Sequence, residues 1–81
     1  MCALVGDTTA PGALRNLSAR GTLFETNARP PIGAVVALHH PIAGPIDATV
    51  TAHDHDGVCL RFAFGPASVA FTLAVLAADM Q

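Results

Sequence analysis

The sequence predicts an all-β domain: a six-stranded antiparallel β-barrel followed by one apolar C-terminal α-helix. Three observations carry this. Glycine and proline interrupt the chain repeatedly as far as Pro66 and then stop, so short segments separated by turns precede one uninterrupted element. Two adjacent runs, "IDATVTAH" (46–53) and "VCLRFAF" (58–64), alternate apolar and polar or small residues with a period of two. The final segment, "GPASVAFTLAVLAADMQ", is apolar at nearly every helical angle and holds a single charge, Asp79.

In chain order, strands are expected at "CALV" (2–5), "GALRNL" (12–17), "TLFET" (22–26) and "AVVALHH" (34–40). Each is too short to bury much surface in a flat sheet, whose two open edges would also need protection, so closure into a barrel is favoured. The last two strands form a hairpin. Ile46, Ala48, Val50 and Ala52 share one face of the first; Val58, Leu60, Phe62 and Phe64 share one face of the second. A three-residue loop, His55-Asp56-Gly57, pairs Ala52 with Leu60, Val50 with Phe62 and Ala48 with Phe64, and places Gly57 at the left-handed position such loops favour. Arg61 then faces outward beside His53. The helix is expected to start near Pro66 with Ser68 as N-cap, and its apolar set is Val69, Phe71, Leu73, Val75, Leu76 and Met80. One face covers the barrel mouth; the other suits a second subunit.

Bulk composition points the same way. Eighty-one residues allow one small domain (1–81), which buries only about 60 to 65% of its unfolded surface. The chain is 52% hydrophobic and 12% charged, too few charges to cover a monomer, so a homo-oligomer, in the simplest case a dimer, is expected. A net charge of −2, with four arginines and no lysine, excludes a generic DNA or RNA binder. "PASVAFTLAVLAA" (66–78) falls short of a spanning helix, so no membrane insertion is expected. Cys2 and Cys59, in a chain without a signal peptide, read as reduced thiols of a cytoplasmic protein.

The ordered features resemble the PilZ domain, a bacterial six-stranded barrel with a C-terminal helix that serves as a receptor for cyclic di-GMP. "RNLSARG" matches that family's Asp/Asn-x-Ser-x-x-Gly motif through Asn16, Ser18 and Gly21; "TLFET" follows as the next strand, "PPIGAVVAL" resembles its Pro-x-Gly turn, and "IDATVTAHDHDGVCLRF" its closing hairpin. The resemblance covers roughly residues 12 to 78. It implies cyclic di-GMP as ligand, with no other cofactor, and a signalling receptor or adaptor acting through protein contacts. By position Asn16 would bond a guanine edge, Ser18 the ligand's polar groups, and Gly21 would allow close backbone approach, with Arg15 and Arg20 adding charge. The family's first motif, Arg-x-x-x-Arg, has no counterpart in these residues, since no arginine precedes Arg15. Two alternatives stand beside this reading: Asn16, Ser18 and Gly21 as a turn that bonds only its own backbone, and a degenerate PilZ-like interaction module that binds no nucleotide.

Other chemistry is weaker. "HDHDG" (53–57) holds metal-ligating atoms, but the hairpin puts His55 and Asp56 in a turn, and His39 and His40 have no spacing that completes a site. Ser18 has no histidine or carboxylate at a diagnostic spacing, and neither cysteine has a nucleophile's context, so no catalysis is expected.

Overall fold

Six strands close into an antiparallel barrel and one helix follows them, in a computed structural model that describes residues 2–79. Met80, assigned above to the helix's apolar set, lies outside the described residues, as does the Asp79 side chain. The elements are β1 (Cys2–Val5), β2 (Thr9–Ser18), β3 (Gly21–Glu25), β4 (Val35–His40), β5 (Gly44–His53), β6 (Gly57–Phe62) and α1 (Pro66–Asp79). Around the barrel the order is β1-β2-β3-β6-β5-β4, and β1 pairing with β4 closes it. Closure leaves no strand edge unpaired, which answers the problem posed by six short strands.

Inward residues alternate along each strand and fill the barrel: Leu4, Phe24, Leu38, Val50, Val58 and Phe62 are among those it buries. Cys2 is buried in this core, whereas Cys59 is half-buried on the outer side of β6. The helix closes the end of the barrel where β4 and β6 finish. Ser68, Phe71, Thr72 and Val75, spaced i, i+3, i+4, i+7, form its buried face. The Phe71 ring stands edge-on to Phe62 at 5.7 Å and to His40 at 6.3 Å. At the opposite end, Arg29 in the β3–β4 connection donates to the carbonyls of Thr26, Ala28, His55 and Gly57, tying that loop to the β5–β6 hairpin. No helix is long and apolar enough to cross a membrane among the described residues.

The closing hairpin differs from the sequence expectation. Asp54 N–H donates to Gly57 O at 2.8 Å and Gly57 N–H returns to Asp54 O at 3.4 Å, so the loop holds two residues, His55 and Asp56. Continued without a break, that register would put Val50 opposite Arg61. A bulge between Val50 and Ala52 inserts one residue and restores the match of faces, giving Val50↔Leu60 and Ala48↔Phe62. The apolar faces therefore meet as expected, but two residues earlier along β6. Phe64 consequently lies beyond the strand, and Arg61 stands opposite Thr49, not beside His53.

The Gly57 rationale changes as well. Gly57 does not have the positive φ found at Gly33 (93°) and Gly44 (84°). Instead a Cβ there would sit 1.9 Å from the Phe24 carbonyl oxygen, so this glycine permits close approach of β3 to β6. At the helix start Ser68 is not the N-cap. Pro66 is the first helical residue, and the Ser68 hydroxyl, in the helix's first turn, accepts from Gly65 N–H at 3.1 Å, the reciprocal half of a capping box.

Candidate functional site

The β2–β3 turn and the strand leading into it are shaped by one inserted residue. Arg15 pairs with Leu23 and Ser18 with Gly21, so β2 carries an extra residue between these points. Asn16 absorbs it with φ of 53°, a left-handed conformation that asparagine tolerates better than most residues. Thr22 Oγ1 donates to Arg15 O at 2.7 Å where the ladder is broken. In the turn itself, Ser18 Oγ accepts from Arg20 N–H at 3.2 Å and donates to Gly21 O at 3.4 Å. Gly21 then enters β3 against β6 so closely that a Cβ would meet the Leu60 carbonyl at 2.1 Å.

These features border a groove of about 500 Å³. Of the five residues the sequence pointed to, Asn16, Ser18, Arg20 and Gly21 line it; Arg15 does not. The Arg15 guanidinium instead pairs with Glu25 Oε2 at 2.8 Å, a surface ion pair worth under about 1 kcal/mol. Asn16 is exposed, and its side-chain amide makes no hydrogen bond among the described residues, which leaves its donors and acceptor available. Ser18 is partly engaged by the turn, which is the local role that a purely structural motif would give it.

Arg61, from β6, and Phe64, just past its end, also line the groove, and the sequence reading placed neither in the site. The signal that would have found them is the hairpin register, since a two-residue loop carries Phe64 out of the strand. Its ring is 61% exposed and the Arg20 guanidinium stands over it, 4.7 Å from the centroid. Chemically, the groove offers two guanidinium groups and a free amide: donors for an anion bearing a polar edge.

A larger cleft of about 600 Å³ lies at the opposite end, lined by Leu4, Pro30, Pro31, Val35 and Val36 with Asp7. Its one cation, Arg29, is spent on backbone carbonyls, so the smaller groove is the better site for anion chemistry. In "HDHDG", His53 Nε2 lies 2.6 Å from Pro30 O, and no group of three or more potential metal ligands gathers among the described residues. Comparison with known proteins brings no match: no family model, no curated protein and no solved structure matches this chain.

Proposed function

We propose that this chain is a PilZ-like signalling domain that binds cyclic di-GMP in the groove beside the β2–β3 turn and acts through protein contacts, without catalysing a reaction. The observation that carries the reading is the convergence of Asn16, Ser18, Arg20 and Gly21 on one cleft, with Asn16 held in a left-handed conformation and its amide unspent. Cyclic di-GMP offers phosphates for the arginine and a guanine edge for the amide.

Asn16→Gly separates ligand contact from turn-making. Glycine adopts the left-handed conformation freely, so stability should hold, or shift by under about 1 kcal/mol. Calorimetric affinity for cyclic di-GMP should fall about tenfold, the loss of one base-edge contact. Unchanged affinity would show that Asn16 only builds the turn.

One observation favours a second reading, an interaction module that assembles through its helix. Val69, Leu73 and Leu76, spaced i, i+4, i+7 on α1, are 39%, 61% and 47% exposed, an apolar stripe opposite the buried face. A second copy of this chain covers that stripe in this reading. Light scattering should give twice the 8.2 kDa chain mass, and Leu73→Glu should return it to one chain. A wild-type mass of 8.2 kDa at every concentration removes the assembly reading.

A further inference from the structure

We propose that Arg61 and the Arg20–Phe64 pair form a clamp for a nucleotide, with Arg61 holding phosphate and the Arg20 guanidinium, seated on the Phe64 ring, stacking against the base. The inference rests on the groove being the ligand site, as proposed above, and adds Arg61 and Phe64, which lie outside the Asn-x-Ser-x-x-Gly motif.

The distribution of cations is the first support. This chain has four arginines and no lysine. Arg15 is paired with Glu25, and Arg29 donates to four backbone carbonyls. Arg20 and Arg61 make no ion pair or side-chain hydrogen bond among the described residues, and both border the same groove. The two arginines left without such partners among the described residues are thus brought to one groove by the fold. Across the β-ladder from Arg61 stand Gly21, which has no side chain, and Thr49, which has no charge, so neither neighbour competes for its guanidinium.

The second support is how Arg20 is held. Its N–H is bonded to Ser18 Oγ, its carbonyl accepts from Phe62 N–H at 2.9 Å, and its guanidinium lies on Phe64. Backbone and side chain are both positioned before a ligand arrives. Planar bases stack both on guanidinium planes and on aromatic rings, and this pair sets one of each on the groove. A simple inorganic anion would use the charge but not the ring. A nucleic-acid polymer is disfavoured because its affinity comes from neutralising many phosphates, and a chain of net charge −2 offers two cations here.

The test is a set of NMR and calorimetric titrations of the full chain with cyclic di-GMP, GMP and inorganic phosphate, in wild type, Arg61→Gln, Phe64→Leu and Phe64→Tyr. Both positions are exposed, so the variants should fold. Arg61→Gln should weaken all three probes by about tenfold or more. Phe64→Leu should weaken the two nucleotides about 5-fold or more and leave inorganic phosphate unchanged, with Phe64→Tyr restoring the nucleotides. GMP binding without cyclic di-GMP binding removes the receptor reading and keeps the clamp. Cyclic di-GMP binding that is equal in all four proteins overturns the clamp and keeps the receptor. A wild type that binds none of the three probes overturns both.

Discussion

Phe24→Ala should remove about 3 to 5 kcal/mol of stability, the range for truncating a fully buried phenylalanine. Phe24 is 0% exposed on β3, packed inside the barrel with Leu14 and Val58 as its cross-strand neighbours. Gly12 on β2 leaves room for it: a Cβ there would lie 2.6 Å from the Phe24 ring. A domain of 81 residues holds roughly 4 to 12 kcal/mol in total, so this one truncation consumes a large share. Urea denaturation should show a much lower midpoint. A shift worth less than about 1 kcal/mol would mean that the core is not organised around this ring.

Gly57→Ala should cost about 3 kcal/mol, the upper part of the range for overpacking, because the added methyl meets backbone and not a side chain that can swing away. The atoms it meets are the Phe24 carbonyl oxygen at 1.9 Å and Glu25 Cα at 2.9 Å, so β3 and β6 must part. In a domain this small the melting temperature should fall by about 12 °C or more. Gly57→Asn discriminates the cause: a left-handed turn position accepts asparagine, whereas a close strand crossing accepts neither substitution. Gly65→Ala, with nothing within 4 Å of its added Cβ, is the clash-free comparison and should cost at most about 1 kcal/mol, the loss of glycine at an N-cap. Equal melting temperatures for Gly57→Ala and Gly65→Ala would contradict the close approach.

The barrel was legible because period-two alternation, turn residues and the end of glycine and proline usage all agreed. Strand β1 matches "CALV" at both ends, and each remaining strand contains or overlaps its expected segment. Register was not legible to the residue. The three-residue loop expected from sequence assumed an unbroken ladder, and the bulge at Thr51, which lets a two-residue loop coexist with matched faces, leaves no mark in an alternating pattern. That slip of two residues hid Phe64 from the site and put Arg61 in the wrong company. Ser68 was misplaced for a related reason: its type suits an N-cap, but Pro66 at the first helical position moves the cap to Gly65 and leaves serine to bond backward.

In the groove, the local motif was readable and the long-range part was not. Asn16, Ser18, Arg20 and Gly21 are near neighbours in sequence, so one turn and one bulge are enough to gather them. Arg15 sits beside them in the chain but points to Glu25, because residues on either side of a strand position face opposite ways and the bulge begins only after it. Arg61 reaches the groove through β3–β6 pairing across 40 residues of sequence, a contact that only topology supplies.

The most direct measurement is a calorimetric titration of the full chain, at protein concentrations of tens of micromolar, with cyclic di-GMP, run beside Arg20→Ala. The expected result is a saturable heat for wild type that is weakened about tenfold or more in the variant, the loss of a charge-assisted contact. No heat from the wild-type chain across that range would contradict a cyclic di-GMP receptor and leave the exposed helix stripe as the functional surface.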